Sequence, residues 1–241
     1  MRKFGLIGYP LSHSFSPSYF KKKFDKEGID GAEYLAYPID DVRKMLNLIA
    51  EGVIGLNVTI PYKEQVIPFM DELDETAAVV QAVNTIKVED GRLRGFNTDV
   101  YGFEMSLRSF IKEKKIEKAL VLGTGGAAKA VEFVLRKLNI KFTYISRKDT
   151  YLNYKEVTQK MIEQHKLIIN TTPLGMQPKI HSFPQIPYIG ISEKHFCYDL
   201  VYNPEKTLFL KKAAGYGAKI KNGADMLFLQ AEKSWQIWNH Q

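Results

Sequence analysis

Cysteine is nearly absent from the chain: Cys197 is the only one among 241 residues. One cysteine excludes an internal disulfide framework and a zinc site built mainly from thiolates. A reducing, cytoplasmic setting is therefore the default expectation. The chain also lacks any stretch of about 18 uninterrupted apolar residues, which argues against a membrane-spanning helix. Its first apolar run is too short for a signal peptide.

Long blocks of one charge are missing too, although 34 Lys and Arg stand against 27 Asp and Glu, a net charge of +7. Such an excess can indicate nucleic acid, a membrane surface or an anionic small molecule as partner. Here Lys21-Lys22-Lys23 is followed at once by Asp25 and Glu27, an alternation typical of solvated helix faces. With no aromatic RNA-binding motif either, we expect no nucleic-acid and no membrane partner.

Short apolar runs alternate with amphipathic stretches along the whole chain, and no internal repeat interrupts them. Seven runs predict buried strands, over residues 3–7, 33–37, 54–58, 119–122, 142–145, 167–169 and 196–200. Strands that alternate with helices predict βαβ units and mainly parallel sheets with helices on both faces, an α/β fold.

Local signals predict several element ends. Ser16-Pro17 predicts an N-cap followed by proline at the first helical position, and Gly28 can close that helix. Asp40-Asp41 predicts the start of the next helix. Its apolar face would carry Val42, Met45, Leu46 and Ile49. Asp90-Gly91 predicts a two-residue hairpin between residues 83–88 and 92–96.

The polar stretch Asn97-Thr98-Asp99 marks a seam between two domains. A helix over 100–110 follows it, and the βαβ pattern restarts near Lys118. We therefore expect a first domain over residues 1–98 and a second over 99–223. The last helix can pack on either domain, and we assign residues 224–241 to the first.

A glycine-rich loop opens the second domain. Gly123-Thr124-Gly125-Gly126-Ala127-Ala128 lies between the predicted strand 119–122 and a helix. Glycines there allow a tight turn and a close approach of pyrophosphate, whose oxygens the free N–H groups of the helix start can hold. The pattern matches G-x-G-x-x-G/A with Ala128 in the last position, so the second domain is predicted to be a Rossmann-like dinucleotide-binding domain.

The cofactor is indicated by Ser146-Arg147-Lys148-Asp149, which lies about 20 residues beyond the glycines, where the adenosine ribose is bound in this type of fold. Two cations come first, which suits the 2′-phosphate of NADP. Asp149 directly behind them leaves NAD open as an alternative.

The first domain carries recurring polar clusters after its strands. Ser12 to Pro17 offers hydroxyls and N–H groups at a helix start, which suit a carboxylate, although Ser16 alone can be a simple helix cap. Neutral donors and acceptors recur further on with one lysine and one aspartate. Such a set fits a small polyhydroxylated acid and a proton transfer. The residues are Asn57, Thr59, Lys63, Asn84, Thr85, Asn97, Thr98 and Asp99.

Together these motifs resemble the shikimate dehydrogenase family, over nearly the whole chain from Gly5 to Gln230. The motifs that carry the resemblance are Gly8-Tyr9-Pro10-Leu11-Ser12-His13-Ser14-Phe15-Ser16-Pro17, Asn57-Val58-Thr59-Ile60-Pro61-Tyr62-Lys63, Ala82-Val83-Asn84-Thr85, Gly95-Phe96-Asn97-Thr98-Asp99, Gly123-Thr124-Gly125-Gly126-Ala127, Ile169-Asn170-Thr171-Thr172-Pro173-Leu174-Gly175-Met176, Tyr198-Asp199-Leu200-Val201-Tyr202-Asn203-Pro204 and Met226-Leu227-Phe228-Leu229-Gln230.

The resemblance implies a two-domain enzyme that reversibly reduces 3-dehydroshikimate to shikimate with NADPH, in the chorismate pathway of aromatic amino acid biosynthesis. It implies a catalytic pair, Lys63 and Asp99. It implies substrate contacts at Ser14, Ser16, Asn57, Thr59, Asn84, Tyr202 and Gln230. It implies NADP contacts at Gly123, Thr124, Gly125, Gly126, Ala127, Ser146, Arg147, Leu200 and Gly223, and no metal.

Three departures from the family pattern leave alternatives open. The stretch between Arg147 and Ile169 is shorter than usual, and Asp225 stands where a second glycine is common. Lys148-Asp149 is similar to the quinate/shikimate branch, so an NAD-dependent quinate/shikimate dehydrogenase is the nearest alternative. A non-catalytic NADP-binding sensor is another. Either a monomer or a homodimer is compatible with the sequence.

Overall fold

The structure is a computed structural model that describes residues 1–11 and 14–239. The chain divides into two compact units, Met1–Thr98 with Ala231–Gln241, and Asp99–Gln230. The division therefore falls inside the last helix, whereas the sequence placed all of 224–241 with the first domain. Ser12 and His13 of the first polar cluster lie outside the described residues.

The first unit contains a mixed six-stranded sheet in the order β2-β1-β3-β5-β6-β4. β1 runs parallel to β2 and β3, whereas β5 is antiparallel to β3 and β6. The carboxyl ends of β1, β3 and β6 therefore meet the start of β5 at one edge. The elements are β1 (Arg2–Gly8), α1 (Phe15–Glu27), β2 (Ala32–Pro38), α2 (Met45–Ala50), β3 (Val53–Val58), β4 (Glu72–Leu73), α3 (Glu75–Val80), β5 (Thr85–Glu89) and β6 (Arg92–Phe96).

Two local predictions for this unit are wrong. α1 begins at Phe15 with Ser14 as its N-cap, so Ser16 lies in the first helical turn. Leu46 is exposed, because a 3₁₀ turn over Val42–Lys44 precedes α2 and shifts the phase of its apolar face. The hairpin prediction is confirmed: Asp90 and Gly91 both have positive φ, 51° and 75°, as a type I′ turn requires.

The first sheet packs an aromatic core on one face and an aliphatic core on the other. Phe4 and Leu6 of β1 face α1 and the end of α8 (Ala224–Asn239), where Phe4 stacks on Trp238 at 5.0 Å between ring centroids. Ile7 points to the opposite face and packs with Met45 of α2. The side-chain alternation of a strand thus serves both cores.

The second unit holds a five-stranded sheet in the order β8-β7-β9-β10-β11, all parallel. The strand order reverses between β7 and β9, which is the point where open α/β sheets bind ligands. The elements are α4 (Thr98–Ile111), which begins at the boundary of the two units, β7 (Lys118–Leu122), α5 (Gly126–Lys137), β8 (Lys141–Ile145), α6 (Gln159–Gln164), β9 (Leu167–Asn170), β10 (Phe196–Asp199), α7 (Leu208–Gly215), β11 (Lys219–Lys221) and the first turns of α8.

The predicted fold class is confirmed, since both units are α/β and the second is a parallel Rossmann-like sheet. Two strands escaped the sequence prediction. β4 and β11 have only two and three residues, too few for an alternating pattern to be recognised. Within the described residues, no helix is long and apolar enough to cross a membrane.

Gly55 tests how tightly the aromatic core closes on the sheet. A Cβ atom at Gly55 would lie 2.7 Å from Cδ1 of Phe4 and 2.7 Å from Nε1 of Trp238. We expect Gly55→Ala to lower the free energy of unfolding by about 1–3 kcal/mol, because rigid rings must shift. Gly215→Ala is the control, because a Cβ there meets nothing within 4 Å. Urea denaturation measures both, and equal stabilities for the two variants would contradict the packing argument.

Candidate active site

The glycine loop joins β7 to α5 at the switch point of the second sheet. Gly123 has a φ of 107°, and a Cβ there would lie 2.8 Å from Oγ1 of Thr171. The loop therefore packs directly on the segment after β9, and Oγ1 of Thr171 donates to the carbonyl of Leu122 at 2.9 Å. On its other side, Gly125 and Gly126 face open space, since a Cβ at either would meet nothing within 4 Å.

A cavity of about 830 Å³ opens beside this loop. Its lining carries three cations, Arg147, Lys148 and Lys179, and no carboxylate. Asp149 is exposed but is not part of the lining. The remaining lining residues are Gly123, Thr124, Gly125, Ser146, Tyr154, Thr171, Thr172, Pro173, Leu174, Met176, Gln177, Pro178 and Ser182.

The residues around this cavity fit a dinucleotide with an additional phosphate. Backbone N–H groups at the start of α5 lack intrahelical partners and face the open side of the loop, where pyrophosphate can approach. Oγ1 of Thr124 and Oγ of Ser146 lie 3.2 Å apart and join the loop to the end of β8. Arg147 follows Ser146 and lies close enough to Tyr154 that its charge counteracts the effect of burial, which raises the pKa of that phenol.

Lys179 was not identified from the sequence. It lies in the irregular segment between β9 and β10, and nothing in its neighbours resembles a binding motif. The segment forms a local turn, in which the carbonyl of Lys179 accepts from the N–H and the hydroxyl of Ser182. Ser182 in turn accepts from the N–H of Gly175 at 2.9 Å. Composition and local motifs cannot predict such a turn.

A buried carboxylate holds the loops that follow β9 and β10. Asp199 is fully buried and accepts from Nδ2 of Asn170 at 2.9 Å, from the N–H of Val201 at 3.0 Å and from Oγ1 of Thr207 at 2.6 Å. Burial raises the pKa of Asp199 to about 6, and the three donors only partly offset that effect. Asn170 also accepts from Oγ1 of Thr172 at 2.6 Å, so this network extends to the cavity wall.

Further predicted contacts lie after β10 and on the two long helices. Leu200 directly precedes Val201, whose carbonyl accepts from the N–H of Gly223 at 3.3 Å, so these two predicted nicotinamide positions are neighbours. Burial raises the pKa of Tyr202. Gln230 is buried on α8, and its Nε2 donates to the carbonyl of Leu227.

Asp99 lies in the first turn of α4 and is half-buried. One turn further along α4, Gly102 packs directly against Met226 and Gln230 of α8. The crossing of these two helices therefore brings the predicted catalytic aspartate near a predicted substrate contact within the second unit.

In the first unit, the loops after β1 and β3 are joined by backbone hydrogen bonds. The N–H of Thr59 donates to Ile7 at 3.0 Å, and the N–H of Tyr9 donates to Ile60 at 3.1 Å. Thr59 and Lys63 are both half-buried at this edge. The carbonyl of Lys63 accepts from the N–H of Val83 at 2.8 Å, which ties the lysine to the segment before β5.

Ser14 and Ser16 lie at the start of α1, next to the same edge. Ser14 is the N-cap by backbone conformation, but its hydroxyl makes no capping hydrogen bond. Ser16 is buried beside Tyr34. Burial raises the pKa of Tyr34, and the hydrogen bond with the Ser16 hydroxyl lowers it by a smaller amount. Neither serine hydroxyl is therefore used up in capping the helix.

The two predicted asparagine contacts differ in what their side chains already bind. Nδ2 of Asn84 donates to Oγ1 of Thr98 at 3.0 Å, a bond that uses one of its two amide hydrogens. Nδ2 of Asn57 faces three protein acceptors at 2.9–3.2 Å, and its Oδ1 accepts from Tyr34 at 2.8 Å. Both amide hydrogens of Asn57 thus have partners inside the protein.

Within the described part of the chain, no group of three or more His, Cys, Asp or Glu side chains is arranged to hold a metal ion. The second unit carries a cationic, glycine-lined cavity, and the first unit carries an edge of neutral donors with a lysine. A parallel sheet with a glycine loop at its switch point defines the class as a dinucleotide-binding α/β protein.

Comparison with known proteins narrows this class. Residues 6–86 match the family described as the shikimate dehydrogenase substrate binding domain. The chain is 36% identical to the shikimate dehydrogenase (NADP(+)) of Caldanaerobacter subterraneus subsp. tengcongensis, over 98% of this chain and 90% of that protein. The chain belongs to the shikimate dehydrogenase family.

Solved structures agree in fold. The shikimate 5-dehydrogenase of Thermus thermophilus, crystallised with NADP(H) and shikimate, aligns with a TM-score of 0.88 at 31% identity, covering 99% of this chain and 94% of that one. The quinate dehydrogenase of Corynebacterium glutamicum, crystallised with NAD, aligns with a TM-score of 0.90 at 25% identity, covering 99% and 93%. The higher TM-score belongs to the less identical protein, so the fold alone does not separate the two activities.

The buried Asp199 generates a pH-dependent prediction. Because its pKa rises from 3.8 in the unfolded chain to about 6 in the folded one, its contribution to stability is fully present below pH 3.8 and is lost as the pH rises through 6. Asparagine stays neutral. Relative to wild type, Asp199→Asn should therefore gain about 1 kcal/mol of unfolding free energy between about pH 5 and about pH 7.5.

Urea denaturation at the two pH values measures this gain, and Asp149→Asn at an exposed carboxylate is the control. A stability difference between Asp199→Asn and wild type that does not change with pH would show that Asp199 is ionised at little cost in the folded chain.

Proposed function

We propose that the protein catalyses the NADP-dependent, reversible reduction of 3-dehydroshikimate to shikimate in the chorismate pathway. The observation that carries the proposal is the edge of the first sheet, where neutral donors surround one lysine, Lys63, in a chain 36% identical to an NADP-dependent shikimate dehydrogenase. A polyhydroxylated acid needs neutral hydrogen-bonding groups for its hydroxyls and a group that can exchange a proton.

Substrate binding begins with the carboxylate. The hydroxyls of Ser14 and Ser16, at the positive end of α1, donate to it. Neutral side chains are proposed to hold the ring hydroxyls, and Asn57 supports these contacts because its amide is engaged within the protein. The proposed ring contacts are Thr59, Asn84, Tyr202 and Gln230.

The proton is handled by Lys63 and Asp99. NADPH, when bound, supplies the hydride to the ring carbon that carries the oxo group. The Lys63 ammonium donates its proton to the oxygen as negative charge develops there, and the Asp99 carboxylate accepts a hydrogen bond from the hydroxyl that results. In the oxidation direction, the neutral amine of Lys63 takes the proton back.

The cofactor is bound by the second unit. The proposed contacts are Gly123, Thr124, Gly125, Gly126 and Ala127 for the pyrophosphate, Ser146 and Arg147 for the adenosine phosphate, and Leu200 and Gly223 for the nicotinamide. Three cations without a carboxylate in the cavity lining support NADP. NAD remains the alternative cofactor, with Asp149 as its best feature and the NAD-bound quinate dehydrogenase as its nearest parallel.

The partners we propose are small molecules only, with neither nucleic acid nor membrane among them. We propose a monomer or homodimer in the cytoplasm, where a buried, unpaired Cys197 suits the reducing conditions.

Lys63→Met tests the catalytic assignment. The variant keeps the length of the side chain but cannot carry a proton, so kcat should fall by about 10²–10⁴ while KM for shikimate changes little. Lys44→Met, at an exposed lysine paired with Asp40, is the control and should retain wild-type rates. NADPH absorbance in steady state measures both. A Lys63→Met enzyme with more than about a third of wild-type kcat would remove the lysine from the mechanism.

Arg147→Ala tests the cofactor assignment. A guanidinium can hold the 2′-phosphate with two hydrogen bonds, and NAD has no such phosphate. We expect KM for NADP⁺ to rise about 10- to 150-fold and KM for NAD⁺ to stay nearly constant. Arg108→Ala, at an exposed arginine paired with Glu104 outside the cavity, is the control. Equal losses with both cofactors would mean that Arg147 only packs against the adenine.

A further inference from the structure

A chain of buried hydroxyls and amides runs beneath the substrate edge of the first unit. Ser234 and Thr85 are fully buried, and the other members are at most 7% exposed. The chain contains no charged group. Its members come from three strands or their ends, β2, β3 and β5, and from two helices, α4 and α8: Tyr34, Asn57, Asn84, Thr85, Thr98 and Ser234.

Donor counting fixes the direction of the first two hydrogen bonds of this chain. The Tyr34 hydroxyl donates to Oδ1 of Asn57, because an amide oxygen only accepts. Nδ2 of Asn57 then donates to Oγ of Ser234 at 2.9 Å. Oγ of Ser234 also lies 2.7 Å from Oγ1 of Thr85, and either hydroxyl can donate in this bond.

The network continues to the start of α4. The Thr85 hydroxyl donates to Oδ1 of Asn84 at 3.3 Å. That oxygen also accepts from the backbone N–H of Thr98 at 2.7 Å, one of the N–H groups that a helix start leaves without an intrahelical partner. The side chain of Asn84 therefore caps α4 from a distant part of the sequence, and the next residue of α4 is Asp99.

Ser234 is the member that ties this chain to α8. Its Oγ lies within hydrogen-bonding distance of Asn57, Thr85 and Thr98, at 2.9, 2.7 and 3.2 Å. We propose that Ser234 is a positioning residue that acts through Asn84 and Thr98 to fix the start of α4, and with it Asp99. The effect on catalysis rests on the function proposed above.

This role differs from that of a substrate contact. Ser234 is fully buried, so it does not reach the surface at which Ser14, Thr59 and Lys63 are exposed in part. Its loss should leave every proposed contact group in place and change only how well two of them are held. The members of a buried network of neutral groups are strongly coupled, because a buried group that loses its hydrogen-bond partner cannot replace it with solvent water.

Ser234→Ala tests the proposal, with Ser106→Ala as a matched control. Ser106 is equally buried in α4, and its hydroxyl bonds to the hydroxyl of Tyr198 at 2.7 Å. We expect kcat/KM for shikimate to fall about 3- to 10-fold in Ser234→Ala only, the size expected for one weakened neutral hydrogen bond. KM for NADP⁺ should stay within about 1.5-fold of wild type in both variants.

Amide hydrogen exchange by NMR gives a readout that does not need activity. The N–H of Thr98 should exchange about 3- to 10-fold faster in Ser234→Ala than in wild type, because its acceptor Asn84 is less well held. In Ser106→Ala it should not change. If wild type fails to oxidise shikimate with NADP⁺, the proposed function is wrong, and the exchange rates still decide whether the network holds α4.

A double-mutant cycle separates positioning from a general loss of stability. In an Asn84→Ala background, Ser234→Ala should lower kcat/KM by less than about 1.5-fold, because the group through which it acts is gone. Full multiplication of the two effects, or rates and exchange in Ser234→Ala equal to those of Ser106→Ala, would overturn the proposal. If Ser234→Ala does not fold, Tyr34→Phe, at the far end of the hydrogen-bond chain, must give the same changes in kcat/KM and in amide exchange.

Discussion

The parallel strand is the constraint on which the candidate site residues of both units depend. Because parallel neighbours end at the same edge, loops that are remote in sequence become adjacent without any specific attraction between them. In the second unit, the ends of β7 and β9 place Gly123 against Thr171. In the first, the ends of β1 and β3 place Thr59 against Ile7. Each edge then needs only local chemistry to become a binding surface.

Apolar and polar interiors divide the work of holding these edges. The aromatic face of Phe4 and Trp238 supplies contact area but little orientation, since dispersion and burial have no preferred direction. Orientation comes from buried hydrogen bonds, through Asn57 and Asn84 in the first unit and through Asp199 in the second. Leaving one buried member of such a network without a hydrogen bond costs free energy of folding. Each network therefore favours a single arrangement of its loop, in which all members are bonded.

Much of this could be predicted from the sequence where a feature is local. The hairpin at Asp90-Gly91 and the glycine loop at Gly123 follow from backbone sterics within a few residues, and all seven predicted strands lie within or within one residue of observed strands. The errors are local as well. The sequence offers two serines as the N-cap of α1, and the cap is Ser14 and not Ser16. A 3₁₀ turn before α2 leaves Leu46 exposed, where the sequence predicted that it is buried.

What the sequence could not reveal depends on long-range placement. Nothing near Ser234 in the sequence distinguishes it from an ordinary buried helix residue, and its partners lie 136 to 177 residues away. Lys179 lines the cationic cavity although it lies far along the sequence from the glycine loop. Asn57 is part of a family motif, but the sequence does not reveal that both of its amide hydrogens have acceptors inside the protein.

The central claim is that a cationic cavity and a neutral, lysine-bearing edge together make an NADP-dependent shikimate dehydrogenase. The most direct test is kcat/KM of the wild-type enzyme for shikimate and for quinate, each with NADP⁺ and with NAD⁺. We expect the highest value for shikimate with NADP⁺, about 10-fold or more above shikimate with NAD⁺, since a charge-assisted contact to the 2′-phosphate separates the cofactors. A higher value with NAD⁺, or with quinate, would contradict the claim.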